Sequence, residues 1–526
     1  ALSIPKIGTN ATTAGTSGET IIGNTASGDI TLSAATYAFG GGTTEITSGA
    51  DIKLTANSAD NSKGTITTDA NNLTITPGTN KALQFSGTAK ISGASGATID
   101  IQGDLLGVDN TSSVEIIEVS VATSGTVKVA GDIKGSDADG KIKTITLSGP
   151  TNVYIGGDLT TAVNDTGNNI DINGDVQLTA NTTLDTTANN GTIDFSGKID
   201  SSSATNHTLT LKSAAGAIAI NGLIGSTNDI GALKINDGLT GTGAITLSGI
   251  GASGKDGVTG TVDIGHTSTG SVTLNGTAYN IDGDTTITTT SAADKIAIGD
   301  ALTIKTAGDK VEFVGGGITL NDDGHDLTIT AGAGNVTLTE IGGTSSEVVD
   351  IEGATITATI IGNADEIKSV KLDGSTKVVL GGNITTSNTT GNNVDIDGPA
   401  ELSAAITIDT KANNGSIDFD GKIDSSDATN RNLTLKTKDG AVSIGGLIGS
   451  TNDLGNLKIN DNDINLDAVK KSDLIFLEGY LWDEGNPKKA FEKAIKNSKK
   501  VAMSLSDKFC VERHKPHFLD LVKNKL

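Results

Sequence analysis

The chain has 526 residues, enough for several domains, yet only 35% are hydrophobic and the aromatics are one Trp, four Tyr and nine Phe. Lys and Arg number 38 against 62 Asp and Glu, a net charge of −24, which disfavours nucleic acid and anionic membrane as partners and leaves acidic surface for divalent cations. A single cysteine, Cys510, excludes an internal disulfide, and no apolar stretch reaches membrane-spanning length.

The chain opens on Ala1 rather than Met, as a processed mature product does. From residue 20 to 461 its texture is monotonous. Short runs recur in order: DITLSA, GTITTD, NLTITPG, KTITLSG, GTIDFSG, HTLTLKS, AITLSG, SVTLNG, DLTITAG, GNVTLTE, GSIDFDG, RNLTLKT, AVSIGG. Each alternates apolar and polar residues and is bounded by Gly, Asn, Asp or Ser, the pattern of strand and turn. No window of a dozen residues in this region shows a 3.6 period. The region has one arginine (Arg431), no methionine and few large side chains, which a compact core of this size would use. A thin core lined by Ile, Val, Leu and Ala needs none.

Residues 167–236 align without a gap on 391–460, with 47 identities in 70 positions at an offset of 224. Stacked coils tolerate such long duplication. The sequence therefore predicts an all-β parallel β-solenoid (β-helix) rod over 1–461, in preference to an array of β-sandwich domains, for which linkers and a period of about 90–100 residues are missing. At about 20–25 residues per coil the rod has about 20 coils and a length of about 100 Å, and the offset spans about ten coils. The blocks ANNGTIDFSGKIDSS (188–202) and HTLTLKSAAGAIAINGLIGSTNDIGALKI (207–235), with their copies at 412–426 and 431–459, resemble the strand repeats of bacterial surface proteins of the filamentous-haemagglutinin and autotransporter-passenger type. That resemblance implies a secreted or cell-surface scaffold.

After Asp461 the texture changes. The segment 462–526 carries six of the aromatics and reads as a buried strand (474–483), a helix opened by Asn486-Pro487, a second strand (500–507) and an amphipathic helix (515–526). This is a short α/β (βαβα) pattern. LEGYLWD and SLSDKFCVERHKPHFLDLV resemble the middle of a ribokinase-type sugar or adenosine kinase. The family's substrate-binding half and its GAGD-type catalytic loop have no counterpart here, so the resemblance implies a truncated kinase-like fragment without kinase activity. Glu478 and Asp483 flank Tyr480 and Trp482, a sugar-stacking pattern that reads better as packing against a missing sheet.

Candidate sites are sparse. The turns SDADGK, NIDGDT, NDDGHD and NDNDIN offer Asp137, Asp139, Asp282, Asp284, Asp322, Asp323, Asp326, Asp461 and Asp463 as oxygen ligands for calcium. Asp, Asn and Gly are also simply turn formers, and no twelve-residue calcium loop is complete. Thr pairs (65/67, 74/76, 144/146, 286/288, 328/330, 355/357) fall too irregularly for an ordered Thr face. His207, His266 and His325 recur about 59 residues apart in unlike contexts, and no nucleophile triad, HExxH or phosphate loop occurs. A polysaccharide-acting β-helix enzyme needs carboxylates converging on a cleft, and one arginine poorly supplies a cleft for acidic sugars. The expectation is a non-enzymatic extracellular structural protein. It is a self-assembling fibre or surface-layer subunit, or else an adhesin stalk, whose partners are further copies of itself and cell-surface or matrix components.

Overall fold

A computed structural model describes residues 2–4, 7, 19–34, 36–39, 43–55, 64–68, 72–108, 115–135, 142–162, 167–265, 270–290, 293–320, 324–362, 366–460, 466–478, 486–505 and 508–524. Up to residue 460 the chain winds as a three-sided parallel β-solenoid of about 17 turns. In chain order the sides begin at Leu2–Ile4 (side one), Ile7 (side two) and Thr20–Ile22 (side three). Each strand pairs in parallel with the strand one coil later.

Period-two alternation produces the core. Inward residues of successive coils stack in columns, such as Ile22–Ile46–Ile75–Ile101–Val129–Ile155–Leu178 on side three. From Ile46 onward this column is essentially inaccessible to solvent, each side chain gaining about 1.5–3 kcal/mol from burial. The tapering interior of a three-sided coil has room for aliphatics and few rings, which accounts for the scarcity of aromatics. Those present inside, Tyr37, Phe39, Phe85, Phe195, Tyr279, Phe313 and Phe419, are buried.

Coils are longer and more variable than expected, from about 20 residues (Ile341 to Ile361) to about 31 (Ile52 to Leu83). Their mean of about 25 gives about 17 turns and a rod of about 80 Å rather than 100 Å. Two strands, Val348–Ala358 and Ser369–Leu380, run round a corner and serve sides three and one together, with a register shift at Gly353/Thr355.

The duplicated segments occupy different sides. Ile172 lies on side two, and Val176, the next inward residue, stands on side three above Val153. From the strand of Val176 this ladder reaches Ile396 in nine steps through residues 199, 224, 250, 279, 304, 329, 351 and 372. Ile396 is the counterpart of Ile172. The offset is therefore nine turns plus one side, not ten turns, and the second copy is rotated about the rod axis by one side of the prism.

Beyond residue 460 the described structure comprises α1 (Leu466–Lys471), the strand Ile475–Glu478, α2 (Asn486–Asn497), the strand Val501–Ser504 and α3 (Lys508–Asn524). The two strands pair in parallel, Ile475 with Val501, and Phe491, Phe518 and Leu521 form a small core. α1 was not foreseen, because six residues are too few for a periodicity to show. α3 starts seven residues earlier than the sequence pattern implies, and Pro516 lies inside it.

Candidate functional site

Asp and Asn side chains at strand entrances bind coil to coil. The Asp104 carboxylate accepts the Asp132 N–H (2.9 Å), Asp132 that of Asp158 (2.9 Å), and Asp158 that of Thr183 (2.7 Å). Two of the candidate calcium ligands do the same: Asp284 accepts from Lys310 N–H (3.0 Å) and Asp326 from Val348 N–H (2.7 Å). They stand at the entrances to sides one and three respectively, so the fold does not bring them together. Asp282 contributes its backbone N–H to the Val258 carbonyl at 2.8 Å. Asp137, Asp139, Asp322, Asp323, Asp461 and Asp463 lie outside the described residues. Among the described residues no group of three or more His, Cys, Asp or Glu is placed to hold a metal ion.

The remaining sequence candidates also separate. His207 donates its backbone N–H to Ser201 Oγ (3.0 Å), His325 Nδ1 lies 3.2 Å from the Ile298 carbonyl, and His266 is outside the described residues. The Thr pairs are distributed over all three sides, so no face is a Thr array. Tyr480, Trp482 and Asp483 lie outside the described residues, as does the side chain of Glu478.

A buried corner went unnoticed in the sequence. Asp200, where side three ends, and its counterpart Asp424, where side one ends, are almost fully buried. Asp424 lies 2.8 Å from Lys422 Nζ and accepts from Thr451 N–H at 2.9 Å. Asp200 lies 3.5 Å from Lys198 and accepts from Thr227 N–H at 2.8 Å. Asn228 and Asn452 donate to the carbonyls of Ser201 and Ser425, both at 3.0 Å. Burial pushes the Asp424 carboxyl up, but hydrogen bonds from Lys422 and Thr451 outweigh it and bring the group down to about 2. The signal was present: KIDSS and GSTND are identical in the two copies, where neighbouring outward residues differ. The network holds one coil on the next and opens no cleft.

The feature with unsatisfied chemistry is the far end of the rod. Its last rung consists of Val442–Ile444 on side three, Ile448 on side one and Leu454–Ile459 on side two. Among the described residues the two strands pair only with the preceding rung. Ile448, Leu457 and Ile459 are 41%, 39% and 44% exposed, whereas their counterparts Ile224, Leu233 and Ile235 are 0% exposed. The difference is one rung. In the first copy Ile245–Leu247, Ile250 and Val262–Ile264 lie on top of these positions, and in the second no such rung follows among the described residues. At the opposite end, Leu2–Ile4 pairs with Ile30–Leu32 and Thr20–Ile22 with Thr44–Ile46. An aliphatic strand edge of this kind accepts a further strand by backbone pairing and apolar contact. No helix among the described residues is long and apolar enough to cross a membrane. Comparison with family models, with curated proteins and with solved structures finds no match to this chain.

Proposed function

We propose that this protein is a non-enzymatic, extracellular structural rod that self-associates through its ends into a fibre or layer. The observation that carries this reading is the exposed aliphatic edge at Ile448, Leu457 and Ile459, whose counterparts Ile224, Leu233 and Ile235 are covered by a further rung. Stacked strands propagate unless a cap stops them. The polar residues of the corners support the same reading, since Asp104, Asp132, Asp158, Asp284 and Asp326 bind the next coil. The likeness of residues 188–235 to surface-protein repeats favours an extracellular setting. The tail, with its two-stranded sheet and exposed Leu474, Phe476, Leu519 and Val522, we read as a kinase-like fragment without kinase activity. Electron microscopy and sedimentation of the purified protein across a concentration series test the proposal. Rods of about 80 Å and linear multiples of that length are expected. Strictly single rods at every concentration overturn it and favour an adhesin stalk.

A further inference from the structure

We propose that a cavity at the corner where side three ends, between residues 254 and 307, is a binding site for a hydroxylated monocarboxylate: a sugar acid, either free or as the terminal unit of a glycan.

The cavity follows from unequal corners on neighbouring rungs. Ile250, Tyr279 and Ile304 stack in one column, and Val258, Ile281 and Thr306 stack in the next. Residues 251–257 intervene between Ile250 and Val258, whereas Asn280 alone separates Tyr279 from Ile281 and Lys305 alone separates Ile304 from Thr306. One long corner therefore overhangs two short ones. Glycine makes the overhang possible. Gly251 and Gly254 hold φ of 75° and 77°, and a Cβ on Gly251 would meet Asn280 Cβ at 2.9 Å. The Ala252 carbonyl accepts the Lys255 N–H at 3.0 Å and the Asn280 side-chain amide at 3.2 Å, which ties the overhang to the next rung. Between them is a space of about 280 Å³, lined by Gly254, Lys255 and Asp256 on the overhang and by Asn280, Lys305 and Ala307 on the short rungs.

The charged groups at this cavity have no partners of their own. Lysines on this rod commonly pair with an acid one rung away, as Lys90 does with Glu118, Lys371 with Asp397 and Lys377 with Glu401. The ladder neighbours of Lys305 are Asn280 and Thr330, neither of which carries a charge. Among the described residues, the side chains of Lys255, Asp256 and Lys305 form no ion pair and no hydrogen bond.

These groups define the ligand. Two ammonium groups against one carboxylate leave one net positive charge, which a single carboxylate on the ligand matches. An extended polyanion is repelled by a chain of net charge −24. Asp256 is an acceptor only and calls for hydroxyl donors on the same molecule. The volume is close to the lower limit of about 300 Å³ for small-molecule sites. It suits one sugar ring rather than a chain, with Ala307 offering an apolar surface to ring carbons.

Ligand-observed NMR titration of the full chain with glucuronate, its methyl glycoside, glucose and acetate tests the site. Glucuronate should bind saturably in the millimolar range, more weakly as salt is added, because both lysines are exposed. Glucose should not bind. Lys255→Gln and Lys305→Gln should each weaken glucuronate binding about tenfold, while Lys81→Gln, at an exposed lysine many rungs away, should leave it unchanged. Asp256→Asn should lower the preference for glucuronate over acetate, which a general attraction between lysine and anion would not produce. Glycoside binding as tight as that of the free acid assigns the terminal unit of a glycan, and binding of the free acid alone assigns the free sugar acid. Absence of saturable binding, equal binding of glucose, no preference over acetate, or unchanged affinity in both lysine variants overturns the proposal. The cavity belongs to a single rod, so none of these outcomes bears on self-assembly.

Discussion

Replacing Asp424 by Asn removes the charge from a carboxylate that is 1% exposed and 2.8 Å from Lys422 Nζ. Burial alone would raise this group, yet the hydrogen bonds from Lys422 and Thr451 bring it from 3.8 to about 2. That lowering corresponds to about 2 kcal/mol favouring the folded state. The carboxyl is lower in the folded chain than in the unfolded one, so this stabilisation is complete above about pH 4, declines below it, and is gone once pH falls through about 2. Asn keeps the shape and one oxygen for Thr451 but loses the attraction to Lys422, so the variant behaves like protonated wild type. A solenoid opens locally, which makes regional amide exchange read by mass spectrometry the suitable assay. Peptides covering 417–452 should exchange about 30-fold faster in Asp424→Asn at pH 7 after correction for intrinsic rates, with the gap closing toward pH 2. Asp427→Asn serves as control, because that carboxylate is 56% exposed beside Arg431 and such pairs contribute little. Equal protection at pH 7, or a gap that persists at pH 2, refutes the reasoning.

Gly415→Ala drives a Cβ into the Asn392 carbonyl oxygen; it should cost about 2 kcal/mol or more locally and open this corner to limited proteolysis. Deleting residues 169–392 joins the two copies at equivalent positions and should leave a soluble rod about 45 Å shorter by electron microscopy; an aggregated product would show that the copies are not interchangeable. Removing residues 462–526 should leave a β-dominated circular dichroism spectrum, and substantial helix in the remainder would contradict the fold. Millimolar calcium and a chelator, compared at matched ionic strength, should leave sedimentation unchanged, since the Asp284 and Asp326 carboxylates already accept backbone N–H groups; a calcium-specific shift would place ligands elsewhere in the chain.

The solenoid was legible because its physics is local. Period-two alternation in GTIDFSG and HTLTLKS sets which residues point inward, and the wealth of small turn formers sets where the chain bends. Coil count was less legible, because loop length at corners is unconstrained by the core and only the strand ladder reveals that Tyr37 lies under Ile66. The buried acids escaped notice for a related reason. Asp200 and Asp194 look alike in sequence, yet Asp200 turns in at a corner beside Lys198 while Asp194 faces out. Alternation cannot express a corner, where the in–out period breaks. The Asp ladders were visible only as turn formers, because their true partner is an N–H about 26 residues away.

The rotation of the second copy by one side bears on how this chain is stabilised. If each side of the prism had its own packing character, a duplicated segment moved from side two to side three would meet foreign neighbours. It does not, because the neighbours move with it: Ile172 is covered by Phe195 on side two, and Ile396 is covered by Phe419 on side three. The contacts that matter are those between one rung and the next, and they are indifferent to absolute position around the axis. Any rung with inward aliphatics at the right spacing therefore fits any open edge of matching order, whether it comes from the same chain or from another. The buried corner acids are the elements that restrict this freedom. Lys422, Asp424 and Thr451 must recur together across two rungs, which selects one register among many that the apolar core alone would accept.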